Sequence, residues 1–221
     1  MMNKIKTIWK QYNIGFYGGV AGSFFMGTLH LVATCISFSW LTFNYMLFCY
    51  LMMLIRVLIW FIDKTNHSEK AYIIGSISLI FVLIPLTVSL VKTITDKELT
   101  IYIFDWIIYA YALFAFAKLI IGIVNLSKSK GSSNTKNVLC WLTLVNALFT
   151  MFMLEFTMIR TFSSSINESL IIIEYAFQGC IIAFVLYIVV MFFVRYLRIK
   201  RKSDPISPLW YWQAKSCAPF L

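Results

Sequence analysis

Six apolar runs dominate the chain, spanning about 14–39, 42–62, 71–92, 101–125, 138–162 and 169–194. About 20 apolar residues in helical form cross a bilayer, and these runs meet that length one after another. In hydrocarbon every backbone N–H and C=O must be satisfied within its own segment, so each run is expected to be a helix. Only 13% of residues are charged, about half the share of a soluble domain, and mean hydropathy is +0.82. The fold class implied is all-α, an integral membrane six-helix bundle forming one domain over 14–194.

The connectors are short. Ser39–Thr42 barely separates the first two runs, Asp63–Lys70 and Thr93–Thr100 follow, Ser127–Asn137 is the longest, and Ser163–Glu168 is the last. Their charge sets an orientation. Lys4, Lys6, Lys10, Lys64, Lys70, Lys128, Lys130 and Lys136 fall on one side, with Arg195, Arg198, Lys200, Arg201, Lys202 and Lys215 of the tail. Lys92 and Lys97, offset by Asp96 and Glu98, and Arg160 fall on the other. Lys and Arg collect on the cytosolic face, so residues 1–13 and the basic, aromatic-rich tail 195–221 are expected in the cytosol. The net charge of +10 is then a topology signal and calls for no nucleic acid. The apolar run after the basic N-terminus continues for a full span, so the first span reads as retained rather than as a cleaved signal.

The segment from Gly15 to Gly27 holds five of the nine glycines. Gly15, Gly19, Ser23 and Gly27 recur every four residues, and Gly18 and Gly22 form an adjacent pair. Small residues let helix backbones approach closely in lipid. This face is expected to pack against a neighbouring span, to pair two copies of the chain, or to line a solute passage. His30, the one histidine within a span, lies near the same face; it either bonds a neighbouring carbonyl or meets a ligand or proton.

Charged residues within spans are costly and mark functional candidates. Asp105, Glu155 and Glu174 come from three spans and fall in the outer half, with Gln178 one turn below Glu174. Together, with His30 beneath, they suggest an outward-facing acidic pocket for a cation or proton. The plainer reading is that the shallow acids reach headgroups and Glu155 pairs with Arg160 or Gln178. Arg56 and Lys118 lie within two turns of their cytosolic ends and are expected to snorkel. Tyr111, Lys118 and Asn125 share one face of the fourth span, expected to meet protein or water. Pro85 removes a backbone donor inside the third span.

No zinc-protease pair, nucleophile elbow or phosphate-binding glycine loop is present. The cysteines, Cys35, Cys49, Cys140, Cys180 and Cys217, lack metal-binding spacing, so no metal or cofactor is expected. In the tail, Trp210, Tyr211 and Trp212 form either an interfacial patch or a docking peptide for a cytosolic partner. The stretches Ser37–Arg56 and Ile101–Lys130, with the Ser-x-Ser-Trp hairpin and the Tyr-rich span ending at Asn125, resemble segments of an uncharacterised family of multi-span membrane proteins from low-GC Gram-positive bacteria. The resemblance implies a six-span protein of the bacterial cytoplasmic membrane and assigns no site residue. Three functions remain open: a small permease or channel-like protein for a cation or small solute, a non-catalytic subunit docking a partner, and a lipid-modifying enzyme. The first is preferred, with membrane lipids as the surrounding partner.

Overall fold

The computed structural model describes residues 2–36, 38–65, 70–95, 105–129, 132–162 and 168–203, with side chains described from residue 16 onward except 92–108, 110, 160–171 and 202–203 within that range. Every regular element among them is helical: α1 Met2–Ile36, α2 Trp40–Lys64, α3 Ala71–Thr95, α4 Asp105–Lys128, α5 Asn134–Phe162 and α6 Glu168–Ser203. All six are long and apolar enough to cross a membrane.

Helix ends follow the local chemistry. Ser39 sits in extended backbone before α2, and its carbonyl accepts from Phe43 N at 3.0 Å. At the far end, Thr65 closes α2 by donating its N–H to Phe61 and Ile62 and its hydroxyl to Ile62 O. Serines make the turn into α5. Ser129 Oγ donates to Leu126 O at 2.7 Å, Ser132 Oγ donates to Ser129 O at 2.6 Å, and Ser133 Oγ accepts from Lys136 N at 3.4 Å. Within the spans, threonine hydroxyls bond back one turn, as Thr143 does to Leu139 O, Thr150 to Asn146 O and Thr157 to Met153 O. That local bond hides a hydroxyl that would otherwise be orphaned in an apolar setting.

Two helices overrun the expected boundaries. α1 begins at Met2, so the expected N-terminal extension 1–13 is helical almost throughout. α6 continues to Ser203, carrying the first tail residues as helix with Arg198, Lys200 and Arg201 exposed. A helix needs no change of backbone bonding at a membrane surface, only a change of side chains, so apolar content underestimates its length.

α5 is the centre of the bundle. Buried residues make up 72% of its apolar window, against 17% for α1 and 11% for α4. Its backbone approaches all five other helices, whereas α4 approaches α5 alone among the described residues and α1 approaches α2 and α5. An aromatic seam joins α2 to α5: Phe48 and Phe149 have ring centroids 3.9 Å apart, and Tyr45 stacks on Phe149 at 5.4 Å. α3 passes uninterrupted through Pro85 and meets α6 closely at Gly75. A Cβ there would lie 2.9 Å from Val138 and 3.2 Å from Phe192, so three helices converge on that missing side chain.

Candidate functional site: a polar column and an acidic pair

The glycine ladder of α1 divides into two faces rather than making one. Gly19, Ser23 and Gly27 turn into the bundle. A Cβ on Gly27 would sit 3.3 Å from the Tyr50 ring, and one on Gly19 would fall on the Arg56 guanidinium. Gly18 and Gly22 have nothing within 4 Å of a Cβ position. The adjacent pair therefore faces away from α2, one helical step from the packed row. Gly15 lies outside the described side chains.

The recess at Gly19 receives Arg56, which is 2% exposed. This corrects the snorkelling expected from its sequence depth: Nη2 of Arg56 donates to Thr143 Oγ1 on α5 at 3.2 Å instead of reaching an aqueous edge. Lys118 on α4 is likewise drawn inward. Its Nζ donates to Asn146 Oδ1 and to Thr150 Oγ1, both on α5 and both at 3.1 Å. Asn146 in turn donates to Ser23 Oγ on α1 at 3.3 Å. Tyr45 OH lies 3.4 Å from Thr150 Oγ1 and accepts from Tyr111 OH at 3.1 Å. The His30 ring packs edge-on to Tyr45 at 4.3 Å, with its Nδ1 buried and without a hydrogen-bond partner. Above it, Thr34 donates to His30 O at 2.7 Å and its Oγ1 lies 3.2 Å from that of Thr42, which donates to Ser39 O at the α1–α2 turn.

These groups form a polar column bounded by α1, α2, α4 and α5: a central network of Tyr111, Tyr45, Thr150, Lys118, Asn146 and Ser23, with the Arg56–Thr143 pair at one end and Thr34 and Thr42 at the other. From Thr42 to Arg56 it extends about 21 Å along α2, against a hydrocarbon core of about 30 Å. The central helix supplies Thr143, Asn146 and Thr150 from a single face, since steps of three and four residues return to the same side. Tyr111 and Lys118 do share the inward face expected of them; Asn125 is half-buried, with no bond to the column.

The acids gather elsewhere. Glu155 is half-buried, and the Glu174 carboxylate is fully buried on α6. The two interact electrostatically across the α5–α6 contact. Gln178, also fully buried, donates from Nε2 to Leu86 O on α3 at 3.2 Å, one residue beyond Pro85, and leaves its Oε1 buried without a donor. Glu155 stands about 180° around α5 from Asn146 and ~13 Å further along it. The expected grouping of the acids with His30 is thereby corrected: His30 belongs to the column, on Tyr45. The Asp105 and Arg160 side chains, and Trp210, Tyr211 and Trp212, lie outside the described residues. Among the described residues no group of three His, Cys, Asp or Glu side chains is placed to hold a metal ion.

Sequence reasoning missed the inward turn of Arg56, Ser23 as a hydrogen-bonding residue, Tyr45, Thr143, Asn146 and Thr150. A signal was present: Thr143, Asn146 and Thr150 make a polar stripe on one face of an apolar run. Comparison with known protein families, with curated proteins and with solved structures finds no match.

Proposed function

We propose that the chain is a small permease or channel-like protein of the bacterial cytoplasmic membrane, with both termini cytosolic, and that the polar column is its solute path. One observation carries this reading. Hydroxyl, amide and charged groups from four helices follow one another along most of a bilayer's apolar depth, as a central hydrogen-bonded network with a separate polar pair at each end. Polar groups are expensive in hydrocarbon, and a packed bundle has no need to string them along its axis. The position of α4 supports the same reading. It closes one side of the column while its backbone, among the described residues, approaches α5 alone, so it can separate by giving up side-chain bonds such as Tyr111 to Tyr45 without breaking the α2–α3–α6 packing.

Reconstituted vesicles test the proposal. Purified protein should raise uptake of small polar solutes over protein-free vesicles, and bulky substitution of Ser23, such as Ser23→Phe, should block it. Unchanged permeability across cationic, neutral and anionic solutes would sink the path and favour a non-catalytic subunit. Orientation is checked separately in intact cells with an impermeant thiol reagent: Cys35 at the α1–α2 end should label and Cys217 should not.

A further inference from the structure

We propose that Arg56 and Lys118 form a binding site for one small oxyanion, a carboxylate or a phosphate. Calling that anion the transported solute rests on the path reading above; the site itself does not.

The argument is a count of charges and donors. Arg56 is held by Thr143 and Lys118 by Asn146, less than one turn apart on the same face of α5, and the two cations interact electrostatically. Neither has a carboxylate partner among the described residues; their titratable neighbours are the thiols of Cys49 and Cys140. Two like charges thus sit together inside the spans, an arrangement that costs heavily unless a counter-charge is supplied. The acids that might have served lie on the opposite side of α5. Donors are also in surplus. Nε of Arg56 is buried without a partner. Lys118 has three N–H groups and gives two to oxygens, leaving the third with no oxygen acceptor and only the Phe114 ring, 5.2 Å from Nζ, nearby. Ser23, 1% exposed, accepts from Asn146 and keeps its own proton to give. Three unspent donors come from α1, α2 and α4, and the threonine protons nearby are committed to backbone carbonyls. A cation would meet repulsion here. An oxyanion would supply acceptors and compensate the charge, and its planar or tetrahedral oxygens suit the Arg fork better than a spherical halide does. Gly19 completes the site, because only a residue without Cβ leaves the guanidinium its place beside α1.

The test is thermal unfolding of delipidated, detergent-purified protein in acetate, phosphate or chloride at matched ionic strength, and with added phosphatidylglycerol. Acetate or phosphate at 100-fold over Kd should raise the midpoint by about 5–10 °C, with chloride giving far less. Lys118→Met and Arg56→Met should abolish that shift. In the absence of anion, Lys118→Met should melt no lower than wild type, because it removes an uncompensated charge; a purely structural Lys118 predicts the reverse. Gly19→Ala should weaken the shift with every charge retained, and it serves if the charge variants fail to fold. A shift seen only with phosphatidylglycerol, and lost in the variants, would keep the site and identify the oxyanion as a lipid headgroup. No shift with any anion, or one that survives in both charge variants, overturns the site. Vesicle flux separates the two ideas: binding without uptake leaves the site and removes the path, and uptake without a binding shift does the opposite.

Discussion

The two faces of α5 carry opposite chemistry. One holds Lys118 and Arg56 through Thr143, Asn146 and Thr150; the other brings Glu155 near Glu174 on α6. A bundle built for stability alone would pair these charges, since in hydrocarbon a cation and a carboxylate each relieve the other's desolvation. Here the central helix keeps them apart. The cations are held by neutral oxygens of short side chains, which fix their position without cancelling their charge. The acidic side is tied down at Gln178, whose amide grips a backbone carbonyl of α3.

The comparison breaks most readily at Asn146. Asn146→Leu removes the acceptor for Lys118 and the donor to Ser23 together, and should cost about 2 kcal/mol in thermal or denaturant unfolding, more than a typical intramembrane hydrogen bond because one partner is charged. The matching change on the acidic side, Gln178→Leu, loses one neutral bond and should cost about 1 kcal/mol. Equal costs would mean that the charge on Lys118 adds nothing. Next in size is a pair on α1. Gly19→Ala drives a methyl group into the guanidinium and should cost about 1–2 kcal/mol, whereas Gly22→Ala, with open space at its Cβ, should stay within about 0.5 kcal/mol. If Gly22→Ala proves as damaging, that face meets a second copy of the chain, and crosslinking should then reveal a dimer. The smallest effect has the opposite sign. Glu155→Gln removes the carboxylate that faces Glu174 and should raise stability at pH 8 by about 1 kcal/mol or less, given the partial exposure of Glu155. A loss of stability there would show that the Glu155 carboxylate makes a favourable contact, and the acidic side would no longer be the electrostatic opposite of the column.

Much of the architecture is legible in the residues because lipid simplifies the problem. Each run long enough to cross must be a helix, and all six are. What is not legible is which helix lies at the centre. The α5 run looks no more special than the others, yet its Asn146 and Thr150 acquire meaning only when Lys118 is found beside them. Arg56 shows the same limit. Measured from its own helix end it is shallow enough to reach water, and only the vacancy at Gly19 on another helix explains why it turns inward. The acids were recognisable as candidates one by one, and Glu155 and Glu174 do come together. Placing His30 among them failed because helical phase relates residues within one helix and says nothing about the order of helices around the bundle.

The central position of α5 has a consequence for biosynthesis. The chain leaves the ribosome from its N-terminus, so the helix that contacts every other one is the fifth to emerge. Until it arrives, Arg56 is without Thr143, Lys118 is without Asn146 and Thr150, and α4 keeps Tyr111 on Tyr45 of α2 but has no backbone neighbour among the described residues. The first four helices alone would therefore hold Arg56 and Lys118 without the α5 oxygens that bind them here. α5 then brings the central contacts, and α6 follows it to close on α3.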